Sequence, residues 1–238
     1  MLSPAGFAAE RMRLPPRPLP YSLRSRGPGD DRVDVFDALR LVDAGDSATV
    51  RLLYSDYDIA PGARDREYAG GWTREHVFPQ SHARMDVRRP GAGTDLHNIF
   101  AADASVNSAR NDKDFDDCDG PDSRAVVDSS PAAGRDGRLL CRATAECWEP
   151  SDAAKGAVAR ALMYTACMYA APLGLKIVDG RSAPGSGAVG RLSAVLRWHR
   201  AFPPTARERA RNDAVERLQG NRNPFVDEPE LADVVVWE

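Results

Sequence analysis

Short runs of strand character dominate the first half of the chain, and longer helical periodicities the second. In VDVFDALRLVDA (33–44), Val33, Phe36, Leu39 and Leu41 supply the apolar positions of a short helix. TVRLLYS (49–55) is β-branched and aromatic and predicts a strand, and DIAPGARDREYAGG (58–71) is a Pro/Gly-rich turn region. WTREHVFP (72–79) predicts a second strand stopped by Pro79, QSHARMDVRRPGAG (80–93) a polar loop, and TDLHNIFAA (94–102) a third strand packing through Leu96, Ile99 and Phe100. ASVNSARNDK (104–113) then begins a helix that Asp103 or Ser105 caps. Residues 72–113 thus read as strand, loop, strand, helix. SDAAKGAVARALMYTACMYA (151–170) has the clearest helical pattern, with Ser151 as its cap and Val158, Leu162, Thr165 and Tyr169 near one face. AVGRLSAVLRWHRAF (188–202) predicts a helix stopped by Pro203 and Pro204, and TARERARNDAVERLQG (205–220) another ended by Gly220. NRNPFVDEPELADVVVWE closes the chain with a turn and a short helix or strand.

The first 32 residues are rich in Pro, Arg and Gly and predict an extended arm; residues 33–238 form a single domain. Residues 114–150 read as an acidic, Gly-rich insertion. With 238 residues and 42% hydrophobic content, the chain can bury one sizeable core. The formal net charge of −3 gives no general attraction for a polyanion, so nucleic acid would have to be met by a local basic patch. Arg74, Arg84, Arg88, Arg89 and Arg110 supply one. No stretch is long and apolar enough to span a bilayer. The first 20 residues carry no apolar signal core, which leaves cytoplasmic and exported locations open.

The four cysteines do not form paired metal knuckles. Cys118, Cys141 and Cys147 flank a loop-like segment, and a disulfide closing it is expected, Cys118–Cys141 or Cys118–Cys147. Cys167, among Tyr164, Met168 and Tyr169, reads as a buried thiol.

The chemistry concentrates in REHVFPQS…GTDLHNIFAADASVNSARNDK. Phosphodiester hydrolysis needs a base for water and a cation to offset charge on the transition state and leaving oxygen. His76 has a pKa suited to the first task. Glu75 and Asn107 offer oxygen ligands that suit Mg²⁺, with Mn²⁺ or Ca²⁺ as alternatives, and a site with two protein ligands leaves positions for water and phosphate. Adjacent strand residues point to opposite faces, so Glu75 and His76 share a site only if the strand ends or bulges there; otherwise the ligand role passes to a neighbour such as Asp95.

Trp72, Arg74-Glu75-His76, Pro79, Asp95-Leu96-His97-Asn98, Asn107 and Arg110 together resemble the endonuclease I family of ββα-metal (His-Me finger) nucleases. The likeness continues through WEPSDAAKGAVARALMY and QGNRNPFVDEPE and covers most of residues 33–238. It implies an α+β fold in which a ββα-metal core of two strands and a helix is surrounded by helices and loops. It further implies a metal-dependent endonuclease acting on DNA, with RNA as a further substrate, with little sequence specificity. His76 would be the general base, and Glu75 and Asn107 the metal ligands. An arginine would grip the phosphate: Arg110 is one candidate, and Arg84, Arg88 and Arg89 in the intervening loop are others. A secreted or periplasmic monomer is expected.

Each residue also has a plainer reading. Asn107 would be a helix cap, His97 a structural hydrogen-bonding residue, His82 and His199 packing residues. The acidic run from Asp112 to Asp122 would be a solvated loop, with a weak Ca²⁺ site as its alternative. Gly220, Asn221 and Asn223 suit a turn from which Arg222 reaches toward the site. Trp148, Trp198 and Trp237 read as core, and Trp72, Phe78 and Phe100 as packing rather than base-stacking residues. Two rival functions stand beside the nuclease: a nucleic-acid-binding module without catalysis, and a hydrolase of another phosphodiester.

Overall fold

A strand buried on both faces needs apolar side chains at every position rather than at alternate ones. IFAA (99–102) meets that condition, and all five residues of the strand, with Asp103 at its end, are buried. The computed structural model of the chain describes residues 1–12, 16–17, 19–23, 32–45, 48–64, 70–89, 91–127 and 139–237. In chain order its elements are α1 (Pro4–Arg11), α2 (Val35–Val42), β1 (Val50–Arg51), β2 (Asp58–Ile59), β3 (Trp72–His76), α3 (Gln80–Ala83), β4 (Ile99–Asp103), α4 (Ala104–Arg110), β5 (Asp114–Phe115), β6 (Arg124–Val127), β7 (Leu139–Ala143), β8 (Cys147–Glu149), α5 (Asp152–Met168), α6 (Ala170–Leu173), β9 (Lys176–Val178), β10 (Ala188–Gly190), α7 (Leu192–Ala201), α8 (Ala206–Gln219) and α9 (Pro224–Asp227). The fold is α+β, as expected.

β3 and β4 form an antiparallel hairpin in unbroken register from Trp72↔Asp103 to His76↔Ile99. Ile99 and Ala101 face a core built with Trp72, with Phe36 and Leu39 of α2, and with Val215 of α8. Phe100 and Ala102 face a second core with Val158 and Leu162 of α5 and Val106 of α4. α5 is buried around most of its circumference, as a helix packed on several sides must be. Ser151 stands at its cap position, but its hydroxyl makes no capping bond. α2 carries an Asp34–Asp37 capping box, α8 is capped by Thr205, and α8 ends at Gly220 with φ 85°.

Several expectations are corrected. The described part of the N-terminal arm is not all extended. Pro4–Arg11 is a helix capped by Ser3, and Phe7 stacks on Phe225 at 5.2 Å. Leu2 forms a parallel bridge with Val235, with Leu2 N donating to Val234 O and Val236 N to Leu2 O. Leu41 is exposed and Val42 is buried in its place. In 49–55 only Val50–Arg51 is strand. The polar loop contains α3, and 94–98 is a turn leading into β4. The insertion is not a loop: β5, β8, β7 and β6 form a four-stranded sheet in that order. Residues 128–138 of it lie outside the described residues. The bridge is Cys118–Cys147, one of the two expected pairings, and Cys141 stays a buried thiol outside it. The acidic run is anchored in its first part, while Asp119 and Asp122 are exposed as a solvated loop would have them. Asp114 accepts from the backbone of Ser182 and Gly190, Asp116 pairs with Arg191 at 2.8 Å, and Asp117 binds Arg197 and Trp198. Among the described residues no helix is long and apolar enough to cross a membrane.

The DLHN turn is held by a buried polar network. Asp95 accepts hydrogen bonds from Tyr164 Oη (2.8 Å), Tyr169 Oη (2.9 Å), Gln219 Nε2 (2.7 Å) and His97 N (2.9 Å). His97 bonds Asn221 O at 3.2 Å and packs on Tyr164. Burial pushes the His97 pKa down to about 4, with Asp95 opposing. The unfolded chain therefore takes up a proton near pH 6.5 that the folded chain refuses until about pH 4. His97 thus stabilises the fold above pH 6.5, and that contribution, on the order of 3 kcal/mol, is lost as pH falls through this window. Urea unfolding of the wild type should weaken between pH 7 and 4.5, and more steeply than that of His97→Gln. Equal slopes would remove His97 from the account.

Candidate active site

β3 ends at His76, and the chain turns through Val77 and Phe78 to Pro79. Here a cleft of about 240 Å³ opens, lined by Glu75, His76, Gln80, Asn107, Asn111 and Asp112 among others. Pairing is regular up to His76↔Ile99, so Glu75 and His76 share the cleft through the strand's end and not through a bulge.

His76 is 5% exposed. Its Nε2 lies 3.0 Å from the Gly93 carbonyl, and a carbonyl only accepts, so Nε2 carries the proton. Nδ1 is then the basic nitrogen, and it accepts from the Gln80 amide at 2.8 Å. Burial lowers the His76 pKa to about 4, the Gly93 bond opposing and Arg74 and Arg110 adding to it, so the ring is neutral at pH 7.

Glu75 is 2% exposed, and burial raises its pKa while Arg110 and Tyr54 hold it down. Tyr54 Oη donates to Oε1 at 2.6 Å, and Arg110 Nη1 lies 3.2 Å from the same oxygen. Tyr54 is fully buried against Trp148, and burial keeps its phenol protonated. Nothing in the sequence marks Tyr54 as functional; a phenol in an apolar run reads as packing, and only the structure shows its partner.

Asn107 is not the cap of α4. Asp103 is, its carboxylate accepting from Ser105 N and Val106 N. Asn107 Nδ2 donates to Arg74 O at 3.3 Å, which directs Oδ1 the other way. Among the described residues no donor meets Glu75 Oε2 or Asn107 Oδ1, and no cluster of three or more His, Cys, Asp or Glu offers a metal site elsewhere. Two unpartnered hard oxygens on one cleft fit a divalent cation that keeps several waters.

The other expected residues are placed differently. Arg110 is 1% exposed and faces inward, donating to the carbonyls of His76 (3.0 Å), Val77 (2.8 Å) and Asn111 (3.2 Å) over the Phe115 ring. Arg74 lines the cleft, stacked between Tyr21 (3.6 Å) and Phe36 (3.9 Å), and donates to Tyr21 O. Tyr21, which the sequence did not single out, brings the N-terminal segment within 5.9 Å of the His76 ring. Arg84, Arg88 and Arg89 are exposed on the loop after α3 and do not line the cleft. Asp95 cannot replace Glu75, because its oxygens are already taken. Arg222 turns to Asp213, Glu216 and Asp227 rather than to the site. His82 is buried against Ala188 O and Ser182. Trp72, Phe78 and Phe100 are packed in the cores.

A family model described as Endonuclease I matches residues 37–230. The chain is 35% identical over 207 residues to an extracellular ribonuclease of Bacillus amyloliquefaciens, a match covering 84% of this chain and 66% of that protein. It is 35% identical over 208 residues to an extracellular ribonuclease of Bacillus subtilis, covering 85% and 67%. An extracellular deoxyribonuclease of Aeromonas hydrophila is 27% identical over 133 residues, covering 56% and 48%. The chain thus spans about two thirds of the length of the two Bacillus proteins.

The inward donors of Arg110 predict a structural loss on removal. Arg110→Ala leaves Glu75 buried without its cation, and breaking such a pair costs about 3–5 kcal/mol. Denaturant unfolding should record that loss; a variant as stable as the wild type would release Arg110 from the fold and return it to the substrate.

Proposed function

The chain belongs to the endonuclease I family, nucleases that hydrolyse phosphodiester bonds, and on that footing we propose that it is a metal-dependent endonuclease of low sequence specificity. The observation that carries the proposal is the convergence on one cleft of a neutral imidazole in a fixed tautomer with two unpartnered oxygen ligands. His76 Nδ1 takes the proton of the attacking water, and Gly93 steadies the ring as it gains charge. Gln80 marks where that water sits, since its amide now occupies the Nδ1 lone pair. Glu75 and Asn107 would hold Mg²⁺, or Mn²⁺ or Ca²⁺ in its place, through their unpartnered oxygens, and such an ion would supply charge compensation for the transition state and the leaving oxygen. Tyr54 and Arg110 fix Glu75 through its other oxygen.

DNA and RNA are both substrates in this reading. The longer matches bear the name ribonuclease and the shorter one deoxyribonuclease, and a chemistry that touches only phosphate needs no base identity. Arg84, Arg88 and Arg89 offer exposed charge for backbone phosphates despite the net charge of −3. The relatives' extracellular location and the Cys118–Cys147 bridge support export to an oxidising compartment. All the groups named lie in one chain, so a monomer suffices.

Plasmid DNA and a structureless RNA, each incubated with protein and Mg²⁺, should both be degraded, and EDTA should stop it. A plasmid retarded but intact would mean binding without catalysis. His76→Ala should fold normally and lose about 10²–10⁴ in rate, the worth of a general base; an unchanged rate removes His76 from the mechanism. Tyr54→Phe should weaken Mg²⁺ binding, read by calorimetry, by about tenfold, the worth of a hydrogen bond to a charged group. Undiminished affinity would leave Tyr54 a packing residue.

A further inference from the structure

The loop that carries Gly93 walls a second concavity, of about 310 Å³, beside the catalytic cleft. Its floor is apolar: Met85, Ala92, Tyr169, Pro172 and Leu173. Leu173 is 45% exposed, one of few large apolar side chains left at the surface among the described residues. Arg84 and Arg89 stand at the rim. The volume lies at the lower end of small-ligand pockets, and an apolar floor with a few polar groups at the edge is their usual make-up.

Three further observations point to an occupant. Two arginines and one carboxylate, Arg84, Arg89 and Asp86, line the concavity; Asp86 is shared by Arg89 and the neighbouring Arg88 at 3.5 Å, while the Arg84 guanidinium makes no hydrogen bond or ion pair among the described residues. The Arg84 guanidinium lies over Gly185, where a Cβ would come within 2.7 Å of Nε, so a glycine there gives it room. The walls are preformed. Asn98 Nδ2 donates to Ala92 O at 3.1 Å and touches the Met85 sulfur at 3.8 Å, and Asp95 fixes the Tyr169 hydroxyl. Finally, the pocket adjoins the chemistry, because Gly93 both walls it and accepts the His76 Nε2 proton at 3.0 Å. An apolar floor, an unpaired guanidinium and contact with the general base's own support suit one chemical class, a nucleotide of the bound strand. A stable protein partner would need about 800 Å² of surface, more than one exposed leucine and its neighbours offer.

Resting on the nuclease reading above, we propose that this concavity is a nucleotide subsite. One base of the substrate strand, next to the scissile linkage, packs on Tyr169, Pro172 and Leu173, and a phosphate of the same strand meets Arg84.

The test uses the full chain with Mg²⁺ and end-labelled oligonucleotides, deoxyribo and ribo, in which one abasic residue is moved along the strand. The wild type should cleave about tenfold more slowly at a linkage set at a fixed offset from the abasic residue, the worth of one base packed on a protein surface. Leu173→Asp, an exposed position whose fold a thermal melt can verify, should cleave the intact strand about tenfold less efficiently, through KM, and should ignore the abasic residue. Arg84→Gln should raise KM and lower the slope of log KM against log salt by about one phosphate contact. A wild type indifferent to abasic position, or a Leu173→Asp variant with the wild-type profile, overturns the subsite while leaving the nuclease intact. A wild type that cleaves none of these strands overturns the nuclease reading itself.

Discussion

A carboxylate with no access to water must find its hydrogen bonds inside the protein, and Asp95 finds four. Two of its donors are on α5 or just past its end, one is the last residue of α8, and one is the backbone of its own turn. That single residue therefore ties the approach to β4, the central helix and the C-terminal turn into one unit. The alternative is a buried charge without compensation, which costs several kcal/mol and admits few other arrangements. The turn so fixed hands the chain into β4, and β4 sets the register of β3, whose end carries Glu75 and His76.

The site inherits this rigidity in steps. α4 follows β4 directly because Asp103 is both the last residue of the strand and the cap of the helix. Arg110 then reaches back from the last turn of α4 to the carbonyls of His76, at the end of β3, and Val77, just past it, closing the strand–strand–helix unit on itself. Glu75 sits inside that closure with one oxygen held on the protein side. The result is a pair of oxygens and an imidazole placed by backbone geometry rather than by loops, the preorganisation that the proposed chemistry calls for.

How much of this the sequence disclosed follows from physical range. That Glu75, His76 and Asn107 meet on one cleft was legible because the two motifs carrying them lie close together in the sequence, within one strand–strand–helix unit. The helices at 151–170 and 205–220 were legible because helical contacts are local. The sheet in 114–149 was not, since β5 pairs with β8 across some thirty residues and no local pattern announces it. The helix in SPAGFAAER was hidden by the Pro-rich composition around it, although Ser3 and the buried Phe7 are in plain view. Tyr54 and Tyr21 escaped for a different reason: each acts through one long-range partner, Glu75 or Arg74, and carries no motif of its own. Arg110 was read as a candidate to grip the phosphate; sequence does not tell whether a guanidinium faces in or out, and this one faces in.

The bridge between Leu2 and Val235 gives the chain a closed outline, with both described ends on one seam. Segments grafted before residue 2 or after residue 237 would emerge side by side. A short linker across the seam would make the chain a covalent ring, and new ends could then be cut elsewhere in a surface turn without disturbing the hairpin. Loosening either side of the seam strips hydrogen bonds from the other, so Leu2 and the Val234–Val236 stretch fray together or not at all.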